Sequence, residues 1–309
     1  MVKGCLNANF FLLKMHTYTY TASKALVNVF QYYSDIHLEH QASMYNTYNT
    51  PKLFFIEPID LSELDLHLPE NTLVTVKRNL ILAGDIGNPN SSLYFKFLED
   101  LSHKFDRVFV IAGNHEHYNT ELPDDQRYSF LRCIKTEEIP SALLQENLFN
   151  VFFLENQSMI MDDFMIIGST LWSNIPDHAR IYVRRDINDY NLIDEFTIDK
   201  NNALHAKSVR YIDSTLRDAI DKNIKTRIVI SHHAPLMTGT SDPMYNGLTN
   251  HAFATDLSDL IEKATHWIYG HTHFNPETPV RENLYTNQVG YRWNSNFKPK
   301  AYFSVTRST

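Results

Sequence analysis

Five short polar clusters hold the side chains of this sequence that could do chemistry. They are Asp35 and His37 in "DIH", Asp85 in "GD", Asn114, His115 and Glu116 in "GNHE", His232 and His233 in "HHAP", and His271 and His273 in "GHTH". Carboxylate, imidazole and amide oxygen are donors for a first-row divalent ion, and the lack of paired thiolates argues against a structural zinc finger. Leaving aside His115 and Glu116, the eight other candidate ligands are too many for one ion that keeps an open position. They suit two ions sharing a carboxylate, because two-metal sites hold their ions roughly 3.5–4 Å apart, a span one Asp can bridge. Only Asp35 and Asp85 are anionic among them. Two divalent ions would leave a positive excess that attracts a phosphate and stabilises its developing charge. Asn114, a neutral ligand, would leave its ion more electrophilic. Each cluster alone has a plainer explanation as a turn, a strand exit or a solvated loop. Five in succession favour the metal reading.

The apolar runs before these clusters are what must position them. Strands are predicted at 27–33, 79–84, 107–113, 164–172, 226–231 and 266–270, all short and rich in β-branched or aromatic residues. All but the fourth run straight into one of the five clusters. Helices are predicted at 91–104, 124–138, 203–222 and 252–263. In the third, Val209, Ile212, Leu216 and Ile220 recur at near-helical spacing. "MIMDDFMII" reads as a hairpin turning at Asp162 and Asp163. Strands alternating with helices predict an α/β architecture with buried sheets. Ligands of open α/β sheets bind outside the carboxyl ends of the strands, so one crevice could collect all five clusters.

The chain of 309 residues is 43% hydrophobic and 21% charged, enough for a sizeable core. No Pro/Gly/Ser-rich linker divides it, and a single domain over 27–309 is expected after an N-terminal extension, 1–26. A net charge of -8 argues against a general nucleic-acid binder. Cys5 and Cys133 form no disulfide framework, which makes a reducing cytoplasm the default expectation. No apolar run is long enough to span a bilayer. The "FFLL" patch broken by Lys14 is too short for a signal peptide.

The five blocks in this order resemble those of the calcineurin-like metallophosphoesterases: D-x-H, G-D, G-N-H-[DE], a single His and G-H-x-H. The resemblance covers roughly residues 27 to 309. "GSTLW", "NDYNLI", "WIYGHTH" and "YTNQVGY" point further to a small, uncapped branch. It implies a four-layer αββα sandwich of two mixed sheets flanked by helices, with the site at its top edge. It also implies two divalent metal ions, for which manganese, iron, zinc and nickel all suit the donors. Asp35, His37, Asp85 and His273 would hold the first ion, with Asp85 bridging. Asn114, His232 and His271 would complete the second. The expected activity is hydrolysis of a phosphate ester by a metal-bridging hydroxide, with His115 stabilising the transition state or protonating the leaving group. The monoester and diester versions stand equal. His232 is chosen over His233 because the family's ligand comes first, and Glu116 and Glu39 are expected to orient neighbours.

Around the site, Trp172, Tyr190, Tyr245 and Trp293 are candidate pocket aromatics, although packing is the default role of such residues. The stretch 237–249 is a candidate loop over the site. Arg180, with Arg184 and Arg185 in "ARIYVRR", could hold a phosphate backbone. That would favour the alternative of a nuclease or nucleotide phosphodiesterase, though a solvated helix face explains the same arginines. The other alternative is a non-catalytic scaffold like the retromer subunit of this family. The intact His115 and ligand set count against it. The expected partner is a phosphate-ester small molecule or nucleotide.

Overall fold

The computed structural model describes residues 23–40, 56–64, 66, 68, 69, 72–118, 135–245, 247–291 and 296–308. Most of the expected 1–26 extension and of the helix at 124–138, together with Trp293, lies outside them. Two five-stranded mixed sheets organise the chain. The first contains β1 (Lys24–Tyr33), β2 (Leu73–Ala83), β3 (Arg107–Ile111), β4 (Val151–Phe153) and, at its other edge, the last strand. The second contains β5 (Gln157–Met161), β6 (Phe164–Ser169), β7 (Thr226–Ser231), β8 (His266–Tyr269) and β9 (Leu284–Thr286). With β10 (Tyr302–Ser308), the orders are β10-β1-β2-β3-β4 and β5-β6-β7-β8-β9. In each sheet four strands are parallel and one edge strand, β10 or β5, is antiparallel.

Side chains alternate between the faces of a strand, and the buried clusters follow that alternation. Leu80, Leu82, Val108 and Val110 pack outward against α1 (Ser92–Ser102) and α2 (Ile139–Gln145) through Tyr94, Leu98, Ile139 and Leu143. Ile81, Phe109 and Ile111 face inward and meet Phe164, Ile166, Ile228, Ile230 and Ile268 of the second sheet. Met165, Ile167, Val229 and Trp267 turn to the far side, against Ile212 and Leu216 of a long helix. Helix, sheet, sheet, helix: the four layers are those expected.

Two short helices, α3 (Arg180–Asp186) and α4 (Asp189–Leu192), precede the long α5 (Ile198–Asp221). Helix α5 starts at Thr197, whose side chain accepts from the Lys200 N–H as an N-cap. Its stripe ends differently from the expected one: Ala219 is buried, while Ile220 is 45% exposed. At about 100° per residue, position 219 lies about 20° from Ile212 and position 220 about 80° away. The helix expected at 252–263 shrinks to α6 (Ser258–Ile261), preceded by a 3-10 turn, Leu248–Ala252. Strand β1 begins at Lys24, inside the span assigned to the extension. Strand β2 begins six residues before the expected start, and β3, β6 and β8 stop short of the expected ends. Strands β4, β9 and β10 were not anticipated. The Asp162–Asp163 hairpin joins β5 to β6, with Asp162 at positive φ.

Candidate metal centre

The carboxyl ends of β1, β2 and β3 meet those of β7 and β8 at one edge of the sandwich. Backbone hydrogen bonds tie these exits together: Asp35 N–H donates to Gly84 O, His37 N–H to Asp85 O, and Gly270 N–H to His232 O. A bridge from Ser34 to Gln288 links the strand-end loops of the two sheets. Two glycines permit the close approach. A Cβ on Gly113 would collide with Asp85 Oδ1, and one on Gly84 would lie 2.5 Å from His232 Nδ1.

Two groups of side chains result, each with ligand atoms within 4.8 Å of one another: Asp35, His37, Asp85 and His273, and Asp85, His232 and His271. Asp85 belongs to both, and its two oxygens divide between them. Oδ2 lies 3.8 Å from His37 Nε2, and Oδ1 lies 3.4 Å from His232 Nε2. In the first group His37 Nε2 and His273 Nε2 face each other at 3.0 Å, with Asp35 Oδ1 3.2 Å from the latter. In the second, Asn114 Oδ1 lies 3.1 Å from His232 Nε2. Of these seven residues Asp35, His37, Asp85, His271 and His273 adopt left-handed backbone, with φ from 48° to 72°. Each such non-glycine residue costs about 1–2 kcal/mol, and strain of this kind gathers at functional sites.

The donor set fits divalent ions. The Nδ1–H of His232 donates to Ala83 O at 2.9 Å, which fixes the ring with Nε2 turned toward Asp85. Asn114 donates its amide N–H to Asp189 at 2.8 Å and to Tyr118 Oη at 3.0 Å, so its oxygen is the end turned to the cluster. Burial alone would favour neutral carboxyls. The surrounding imidazoles reverse it, His273 holding Asp35 at about 2 and His232 holding Asp85 well below the usual range. These anions remain ionised and available to a cation.

A family model described as calcineurin-like phosphoesterase matches residues 32–275. The chain belongs to that family. It is thereby a metal-dependent hydrolase of phosphate esters. Uncharacterized protein L509 of Acanthamoeba polyphaga mimivirus is 35% identical over 246 residues, covering 73% of this chain and 83% of that protein. The crystal structure of phosphopantetheinyl hydrolase from Mycobacterium tuberculosis shares the fold. It has a TM-score of 0.60 at 16% identity and covers 92% of this chain and 96% of its own.

Around this phosphoesterase centre the remaining candidates fall into distinct places. His115 stands beside the cluster, with Nε2 3.9 Å from Asp85 Oδ2. Its Nδ1–H donates to Glu39 Oε1 at 2.9 Å, and the same oxygen lies 3.3 Å from His37 Nδ1. His37, Glu39, His40 and His115 thus form a third close group. Glu116 reaches no imidazole. Its carboxylate accepts four backbone N–H groups, from Asp85, Ile86, Gly87 and Gly113, and so clamps the β2 and β3 exits together. His233 turns away from Asp85. It bonds Ser173 through Nδ1 and packs on His271 with ring centroids 4.0 Å apart. Trp172 is buried behind it, against His233, His117 and Phe196. Arg180 is held by Asp199 and Asp177, Arg185 by Asp186, and Arg184 by Asn191. Tyr190 stacks on Phe196 in the core, and Tyr245 is exposed.

Four contributors escaped the sequence reading. Ser34 Oγ–H donates to Asp35, Asp189 and Tyr118 brace Asn114, and Tyr291 packs over the histidines. Only "NDYNLI" and "NQVGY", noticed without a role, hinted at Asp189 and Tyr291. Among the described residues no helix is long and apolar enough to cross a membrane.

Proposed function

We propose that the chain hydrolyses small phosphate esters, nucleotides among them, at a binuclear centre. Asp35, His37, Asp85 and His273 would hold one divalent ion, and Asp85, Asn114, His232 and His271 the other. The observation that carries this reading is the division of the Asp85 oxygens between two separate sets of imidazoles. Bound ions would supply Lewis acidity, lowering the pKa of a water and neutralising charge on the phosphoryl oxygens. Manganese, iron, zinc and nickel all suit the donors.

The chain's own residues do the rest. Asp85 and its neighbours would hold the ions at the buried edge, and with them the positive charge that draws a phosphate there. His115 is oriented by Glu39, which accepts its Nδ1–H and turns Nε2 toward the reacting group. From there Nε2–H gives its proton to the departing oxygen as the P–O bond breaks, a contribution typically worth 10²–10⁴-fold. The arginines of 180–185 pair with Asp199, Asp186 and Asn191 on an exposed helix, as a solvated face would, and so add no specific support to a nuclease reading.

Metal content and turnover of purified protein test the proposal together. Asp85→Asn is expected to abolish loading of both ions. His115→Ala should keep the ions and lose about 100-fold or more in kcat on an alkyl phosphate, with less loss on a p-nitrophenyl ester. Full activity of His115→Ala on the alkyl ester would refute the acid role. A chain that binds fewer than two ions in excess manganese would refute the binuclear reading. A panel of phosphomonoesters, cyclic nucleotides and bis-esters then separates monoesterase from diesterase.

A further inference from the structure

We propose that Tyr291 is a substrate-contacting residue whose phenol hydrogen-bonds the departing oxygen of the ester alongside His115. This rests on the phosphate-ester reading above. The hydroxyl of Tyr291 lies 3.2 Å from His115 Nε2, the nitrogen that faces the reacting group. Two donors that close can converge on a single oxygen, at about 2.7–3.0 Å from each. Neither partner needs to move far. In the free enzyme they bond each other, and a substrate oxygen placed between them would receive a hydrogen bond from both.

The position of Tyr291 is built. Its ring packs on His37 and His273, with centroids 4.5 and 4.4 Å away, and on His40 at 5.1 Å. The backbone just before it is anchored to the first ligand loop. Val289 N–H donates to Ser34 O and Gly290 N–H to Asp35 O. Gly290, at φ +71°, then turns the chain so that the next side chain lies over the histidines.

The side of the site matters too. The ring contacts of Tyr291 are with His37 and His273 of the first ligand group, with His40 and with His115, while His232 and His271 pack against each other. His115 is 9% exposed and Tyr291 47%, so the two mark a path from the buried cluster to water. An alcohol leaving the phosphorus must take such a path. The ring explains nothing that requires a hydroxyl, since Phe would pack on the same imidazoles. Among the described residues, the hydroxyl's hydrogen-bond partner is Nε2 of His115.

Tyr291→Phe isolates that hydroxyl. Metal content and melting temperature should match the wild type. On an alkyl phosphate ester, kcat should fall about 10- to 100-fold with KM changed by less than about 3-fold, in line with loss of one preorganised donor. On a p-nitrophenyl ester, whose leaving oxygen needs little help, the loss should be under about 3-fold. Equal losses on both esters, no loss on either, or loss of bound metal would each overturn the proposal. Wild-type protein that carries two ions yet hydrolyses no ester would sink the phosphate-ester reading and this inference with it. An active wild type matched by Tyr291→Phe would sink this inference alone.

Discussion

Asn114, as a proposed ligand, shows how much of a metal site's usefulness is set by residues that would never touch the metal. An amide offers an oxygen and a nitrogen of nearly equal size, and only the oxygen is a ligand. Asp189, buried in the short helix α4, accepts from both Asn114 Nδ2 and Tyr118 Oη, at 2.8 and 2.6 Å. That pair of bonds selects the amide orientation. Partners of this kind are typically worth 10–100-fold in metal affinity. Asp189→Ala is therefore expected to weaken the site of Asn114, His232 and His271 by that factor, leaving the site of His37 and His273 intact. A metal titration would show the stoichiometry in limiting manganese falling from two toward one. Unchanged affinity at both sites would mean that Asn114 holds its orientation without Asp189.

At the scale of elements, the strands act as rails that end where chemistry begins. Gly113 follows β3 by two residues and lies so near Asp85 that any Cβ would displace its oxygen. Gly113→Ala should thus cost metal binding more than folding, a divergence visible as lost ions at a melting temperature lowered by only a few degrees. Helix α5 covers the opposite layer and supplies none of the candidate ligands. Leu216, fully buried against the second sheet, should cost about 2–5 kcal/mol on truncation to Ala. Activity per folded molecule should remain. The parallel strands read as unbroken apolar runs because both faces are covered. That is why 226–231 was placed to the residue. Strands β4, β9 and β10 were missed because the first two are three residues long and β10, at a sheet edge, has only Phe303 and Val305 as aliphatic or Phe residues among Tyr, Ser, Thr and Arg.

The molecule as a whole is two sheets held face to face, and neither sheet alone holds the full ligand set. Between them lies His266, stacked on Phe303 of β10 and Tyr285 of β9 with centroids 4.3 and 5.6 Å away. Burial pulls its pKa down from the ordinary 6.5 to about 4. The folded state keeps this ring neutral while the unfolded chain protonates it from pH 6.5 downward. Stability from this group is therefore complete above pH 6.5 and is lost progressively as pH falls toward 4, at most on the order of 3 kcal/mol. His266→Phe should flatten the acid side of the stability curve over that window, as read by urea unfolding at stepped pH. Parallel curves for the two proteins would show that His266 contributes nothing to acid unfolding.

The sequence by itself determined the family, the fold class and the set of candidate ligands. Those follow from local regularities: apolar runs of strand length, and ligand-bearing side chains one or two residues past their ends. It also distinguished His232 from His233 only through a family pattern. The tertiary structure places the two rings differently: His232 is locked by Ala83 O with Nε2 toward Asp85, and His233 packs behind His271. Everything that braces the ligands belongs to tertiary structure as well. Glu39 joining His37 to His115, Asp189 orienting Asn114, and Tyr291 resting on three histidines are contacts between segments up to 254 positions apart. No local period or spacing encodes them. They exist only because parallel strands from two sheets deliver distant loops to one edge.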